Sequence, residues 1–430
     1  MGARAAFLAA CAATLLIAGC GSQKPPLRVG VLYDCVGQYR AYGGAELSGA
    51  ELPLILRGAA RAGSTPGAGV RPVTVAGRPV HLLTGCTESG EFTTSIEQVR
   101  RMIELGHADV IIVGGPLMLD ATAMRRVAAR YPKTIFIAAM HGAREVTQHD
   151  PTPNVYRVAS DAAEATAGLG TYAYRTLGWR RAAVALLAWD DWSNEAAFVN
   201  EFCALGGRVE RLQVAAWDPS GKDVAQLPKG IDGVAVLSNP VFGPQGFLEK
   251  LAGRYRDPAK HVLLGPGISG DAGLLRSLGP RYDGVVASSY LPAAASAPAV
   301  RAYLRAYARA FPDQPRAPAL SDFVTSYRNA MEATLLALQR THGDAGAPLA
   351  RSLAGLRASL LGVPTRMDPT RQAVVSASLV RLGAKATLAE VATIPGVDPS
   401  VGGLLRPADM PSDAGQKCRR RTPPPWALKG

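Results

Sequence analysis

The chain has 430 residues, 48% of them hydrophobic and 19% charged, with a mean hydropathy of +0.07, a balance that fits globular protein and provides for two domains. Its net charge of +13 raises nucleic-acid binding, yet the arginines are scattered through Ala/Arg-rich helical patterns, as at Arg125, Arg126, Arg301, Arg305 and Arg309. These read as solvated helix faces, so no nucleic acid is expected, and only Arg419, Arg420 and Arg421 form a tight cluster, in a Pro-rich tail.

The first element is an export signal. Residues 5–17 are nearly all apolar, too few for a comfortable bilayer span, and lead into Ile17-Ala18-Gly19-Cys20. Small residues before a cysteine have the form of a lipobox. Cys20 is then the lipidation site, residues 1–19 a lipoprotein signal peptide and residues 20–26 a flexible, lipidated tether. The expected location is extracytoplasmic and membrane-anchored. No other uninterrupted apolar stretch approaches membrane length.

From Arg28 onward, apolar runs alternate with helical patterns at the spacing of βαβ units, which signals parallel, doubly wound sheets. Strands are expected at 28–33, 80–84, 110–113 and 134–138, with helices at 45–56, 95–105 and 121–130 between them. Residues 58–77, rich in Gly, Pro and Ala, read as a surface excursion. A second set repeats the rhythm, with a helix at 162–177, strands at 182–188, 208–214, 233–237 and 261–264, and helices at 195–205 and 246–254. Another strand at 284–288, helices at 299–310 and 319–339, and a β-hairpin from 374–382 and 388–394 follow. Beyond Pro395 an extended tail is expected. The fold class is α/β with two doubly wound lobes.

Of six cysteines, Cys11 leaves with the signal and Cys20 carries lipid, which leaves Cys35, Cys86, Cys203 and Cys418. Two disulfides are the economical reading in an oxidising compartment, and three pairings are formally possible. Cys35 and Cys86 each fall just past one of the first two strands, which neighbour each other in such a sheet, so this pairing is favoured together with Cys203–Cys418.

Certain stretches carry a family likeness: Arg28 to Tyr33 followed by Tyr42-Gly-Gly-Ala-Glu-Leu-Ser-Gly-Ala-Glu51, Gly170 to Tyr174 with Leu177-Gly178-Trp179, and Tyr303 to Pro312 before Ser326-Tyr327. In order and approximate spacing the chain resembles the type I periplasmic binding proteins, specifically the leucine/isoleucine/valine and amide-binding branch of ABC transporter receptors. The resemblance implies two Rossmann-like lobes joined by three hinge crossovers near 154–158, 285–290 and 362–365. Lobe one would take 27–153 plus 288–362, lobe two 154–287 plus 363–397, and the tail 398–430.

The family grips its ligand with loops at the strand ends, which here contain Leu117, Met118, Met140, His141 and Gly142 in lobe one and Asp191, Trp192, Phe242 and Gly267 in lobe two. Hydroxyl-bearing residues usual in the first set are replaced, and the loop 265–269 lacks the usual carboxylate for an ammonium group. Asp190 or Asp191 could substitute. The implied function is capture of a small polar or amino-acid-like solute by a monomer that docks on ABC permease subunits. A ligand-sensing lipoprotein of the same fold, without transport, is the alternative.

No cofactor or metal is expected. Gly265-Pro-Gly-Ile-Ser-Gly270 matches a dinucleotide pattern but lacks the acid at the end of a following strand, and the six histidines are dispersed. No acid, base and nucleophile constellation can be assembled, so catalysis is not expected.

Overall fold

The computed structural model describes residues 24–37, 39–88, 92–114, 121–139, 143–187, 193–214, 216–238, 243–290, 297–314, 321–406, 409, 418 and 421–428. Lobe one is built on strands β1 (Leu27–Val36), β2 (Val73–Val75), β3 (Arg78–Glu88), β4 (Val110–Val113), β5 (Ile135–Ala138) and β6 (Val155–Arg157). They form one sheet in the order β2-β3-β1-β4-β5-β6. Every ladder is parallel except that between β2 and β3.

The sequence of β4, Val-Ile-Ile-Val, is buried along its whole length, as expected for a parallel strand covered on both faces. Val110 and Ile112 pack with Leu47 and Leu54 of helix α1 (Gly43–Ile55) and Met331 of helix α12 (Asp322–Arg340). Ile111 and Val113 pack on the opposite face with Met102 of α2 (Phe92–Glu104) and Met124 of α3 (Ala121–Arg130).

Lobe two repeats the plan with β7 (Arg181–Leu187), β8 (Arg208–Val214), β9 (Gly233–Val236), β10 (Val262–Leu264) and β11 (Val286–Ser289), extended by the antiparallel β14 (Ala373–Gly383) and β15 (Thr387–Val397). Ala183, Ala185 and Val236 face Phe247 and Leu251 of helix α8 (Gln245–Arg254). Ala182, Val184 and Ala235 face Phe198 and Phe202 of helix α7 (Ser193–Ala204). The expected α/β class and doubly wound lobes are therefore present.

Local structure departs from expectation at several points. Within the presumed excursion, Val73-Thr-Val75 pairs with β3 through a tight turn at Ala76 and Gly77, both with positive φ. The helix expected at 162–177 is two helices, α5 (Ala162–Ala165) and α6 (Leu169–Arg175). Gly168 separates them at φ 87°, and a Cβ there would fall 1.9 Å from Ile394 Cδ1. A hairpin of β12 (Arg357–Leu360) and β13 (Val363–Met367) was not anticipated. Residues after Pro395 are more ordered than an extended tail: Val401, Leu404 and Leu405 are buried.

The chain passes from the first sheet to the second after β6, returns after β11, and reaches β14 through the β12–β13 hairpin. These passages meet at a small opening lined by Ser160, Ser289, Tyr290, Ser326, Leu361 and Thr365, among others.

Candidate functional site

In doubly wound sheets the carboxyl ends of the strands open onto the ligand crevice. Here Tyr42, past the end of β1, and Asp271, past the end of β10, meet between the lobes. Lobe one places an aromatic group there. Tyr42, immediately before α1, stacks on Phe323 in the first turn of α12, with ring centroids 4.1 Å apart and planes 19° from parallel. Tyr39 lies 6.3 Å from Tyr42 and 6.2 Å from Phe323, tilted against both. Offset and tilted geometries of this kind suit the ring quadrupoles.

Across the cleft, Asp271 caps helix α10 (Ala272–Leu278), its Oδ1 accepting from Gly273 N at 2.8 Å and Leu274 N at 2.9 Å. Its other oxygen accepts from Tyr42 Oη at 3.3 Å. This hydrogen bond joins the two lobes. Burial, followed by the Asp271 charge, pushes the Tyr42 phenol up to about 12, so it remains a donor throughout the physiological range.

The ends of β1 and β3 are braced by a disulfide between Cys35 and Cys86, with Cα atoms 5.5 Å apart. Both strands run further than expected, so each cysteine lies within its strand, and β1 changes register between Asp34 and Val36. Beneath the bridge, Asp34 and Glu46 are fully buried. Asp34 N donates to Glu46 Oε2 at 2.7 Å, and Thr87 Oγ1 donates to Asp34 Oδ1 at 3.2 Å. Burial and the neighbouring Asp34 charge drive the Glu46 carboxyl well above its usual range. A protonated Glu46 beside Asp34 avoids two adjacent buried charges.

Tyr327 completes this floor. Its Oη donates to Leu32 O at 2.8 Å, and a Cβ on Gly114, at the end of β4, would fall 1.9 Å from that oxygen. Only glycine fits where the loop leaves β4.

Of the residues expected to touch solute, Leu117, Met118, Met140, His141, Gly142, Asp191, Trp192 and Phe242 lie outside the described residues, as does Cys20. Gly267 is in α9 (Pro266–Ser269), a single helical turn directly after β10. Cys203 is bonded to Cys418, the Cα atoms 5.2 Å apart. Sequence reasoning gave no role to Tyr39, Tyr42, Phe323 or Asp271. Tyr42 opens one of the motif stretches, and Asp271 is a carboxylate just beyond the loop 265–269 where an acid was missing. Among the described residues, no group of three or more His, Cys, Asp or Glu side chains could hold a metal ion. No helix among them is long and apolar enough to cross a membrane.

The sequence profile of a family described as periplasmic binding protein matches residues 26–387. Among solved structures, an ABC transporter substrate-binding protein from Sphaerobacter thermophilus is 21% identical, with a TM-score of 0.73 over 87% of this chain and 99% of that one. A leucine-binding protein from Thermotoga maritima is 18% identical, with a TM-score of 0.68 over 86% and 99%. A solute-binding protein of an ABC transporter from Rhodopseudomonas palustris, in complex with 3,4-dihydroxybenzoic acid, is 20% identical, with a TM-score of 0.70 over 87% and 98%. No curated protein matches the chain.

Proposed function

The chain belongs to the periplasmic binding protein family, and we propose that it is the anchored solute receptor of an ABC importer, holding a small polar or amino-acid-like molecule between its lobes. The observation that carries this reading is the hydrogen bond from Tyr42 to Asp271 at 3.3 Å, which closes one lobe on the other beside an aromatic wall. A fold that works by closure needs contacts made only when the lobes meet. Binding alone supplies the function, with no chemical step on the solute.

In this reading Leu117, Met118, Met140, His141 and Gly142 meet the solute from lobe one, and Asp191, Trp192, Phe242 and Gly267 from lobe two. The lobes divide at the three crossings near 154–158, 285–290 and 362–365, and the tail takes 398–430. The closed monomer docks on permease subunits. Residues 1–19 direct export and Cys20 carries the lipid, with 20–26 as tether. The signal for anchoring is the small-residue step before Cys20, followed by a Ser/Lys/Pro segment.

A thermal-shift panel tests the solute reading. The unlipidated receptor is melted against amino acids, amides, short-chain acids and hydroxybenzoates, the last because the neighbour from Rhodopseudomonas palustris is in complex with such an acid. One class should raise Tm selectively by mass action. A flat response across all four classes overturns the reading. Anchoring is read separately, since Cys20→Ser should move the protein from the membrane fraction to the soluble extracytoplasmic fraction.

A further inference from the structure

The segment after β15 touches both lobes. Val401, Leu404 and Leu405 are buried in a cluster with Ala163 of α5, Ala196 and Ala197 of α7, and Ile394 of β15. Further along, Cys418 is bonded to Cys203 of α7, and Trp426 Nε1 donates to Glu201 Oε1 on the same helix at 3.0 Å. The segment is also folded on itself. Asp398 Oδ1 accepts from Ser400 N at 3.0 Å and Gly402 N at 3.3 Å, and Asp409 Oδ2 accepts from Arg421 at 3.2 Å.

The second attachment comes from lobe one. Arg144 immediately precedes α4 (Glu145–Gln148), between strands β5 and β6 of the first sheet, and its side chain is 1% exposed. It donates to Pro399 O and, at 3.4 Å, to Arg406 O. The same guanidinium stands 3.5 Å from Asp161, which follows β6 on the first passage between lobes and caps α5.

We propose that residues 398–406 form a strap across the hinge, a fourth interlobe connection fixed to lobe two by Val401, Leu404 and Leu405 and to lobe one by Arg144. The family profile ends at residue 387, so the strap is an addition to a hinge whose crossovers all precede it. Its effect follows from the burial of Arg144. A rotation that draws lobe one away from Pro399 O and Arg406 O strips acceptors from a guanidinium that has no access to water, and unmet donors of a buried charged group are costly. The strap therefore limits how far the lobes open and favours the closed arrangement before any solute arrives.

The test reads lobe separation without solute. Bioorthogonal spin labels replace the exposed Glu97 of α2 and Gln245 of α8, helices that begin at the cleft ends of β3 and β9, and their separation is measured by pulsed electron resonance on the unlipidated chain. The parent protein should give one narrow distribution. Arg144→Met, and independently Leu404→Ser combined with Cys418→Ser, should broaden it and move its mean to longer distance. Arg144 lies in the core, so if its variant loses near-ultraviolet circular dichroism the tail variant alone decides. A tail-variant distribution superimposable on the parent's overturns the strap. Because no solute is present, a flat thermal-shift panel would leave this result standing.

Discussion

Tyr42 and Asp271 are 229 residues apart in sequence, belong to different lobes, and meet through one hydrogen bond of 3.3 Å. Each is held from its own side: the tyrosine by stacking on Phe323, the aspartate by its bonds to Gly273 N and Leu274 N. Neither has to be ordered when the lobes close, so little entropy is lost in forming the bond.

Removing the phenol oxygen should therefore act on closure alone. Tyr42→Phe keeps the stack on Phe323 and the cap of α10 but deletes the interlobe bond, a loss of about 0.5–1.5 kcal/mol. Solute affinity should fall about 2- to 10-fold, with most of the change in the dissociation rate. Isothermal titration and stopped-flow release, using whichever class the thermal-shift panel selects, check it. Equal dissociation rates in parent and variant would remove Tyr42 from the closing contact.

The Cys35–Cys86 bridge closes a separation of 51 residues, so it removes chain entropy from the unfolded state and ties down the β1 end that leads to Tyr39 and Tyr42. Replacing both cysteines by serine should cost about 2–4 kcal/mol in urea unfolding. Solute binding should weaken as well, because the aromatic wall is then less constrained. A variant with unaltered stability and affinity would show the bridge to be dispensable.

Much of this architecture is legible in the sequence. Continuous apolar runs such as Val110 to Val113 announce parallel strands buried on both faces, and the placement of Cys35 and Cys86 on neighbouring strands announces their bridge. What escaped notice depends on distant contacts. Gly168 breaks a helical pattern because Ile394, far along the chain, occupies the space a Cβ would need. Val73 to Val75 is too short to stand out beside its Gly/Pro-rich neighbours and is a strand because β3 pairs with it. Leu404 and Leu405 sit in a Pro/Gly/Asp-rich stretch whose order comes from α5, α7 and β15. At the cleft, Asp271 was missed because it follows rather than occupies the expected loop, and its partner Tyr42 is joined to it only by the closing of two lobes.

Glu51 predicts a pH dependence of stability. Its side chain is fully buried and neither carboxyl oxygen has a hydrogen-bond partner. Burial raises the carboxyl to about 8, opposed only in part by the Arg61 charge. A carboxyl that binds its proton more tightly when folded lends stability that is complete below the unfolded carboxyl range and is lost as pH rises towards about 8. Glu51→Gln abolishes this titration. Its Tm should lie close to the parent's near pH 4 and exceed it by several degrees above pH 8, about the scale of a few kcal/mol. Parallel Tm curves for the two proteins across that range would show that Glu51 is not protonated in the folded state.

Gly114 tests how tightly the floor of the cleft is built. An alanine Cβ there would stand 1.9 Å from Tyr327 Oη and 2.7 Å from Tyr327 Cζ, so Gly114→Ala must push the ring out or shift the end of β4. Displacing the ring breaks the bond to Leu32 O and opens space in a core that includes Val31, Ile112 and Met331. Overpacking of this kind costs about 1–3 kcal/mol. Tyr327→Phe alone should lose about 1 kcal/mol with the hydrogen bond, yet it removes the atom nearest the new methyl group. The double variant should then be less destabilised than the sum of the singles, a coupling of about 0.5–3 kcal/mol readable from urea unfolding of all four proteins. Strict additivity would mean that the Gly114 backbone yields instead, and that the loop leaving β4 is not held by the Tyr327 ring.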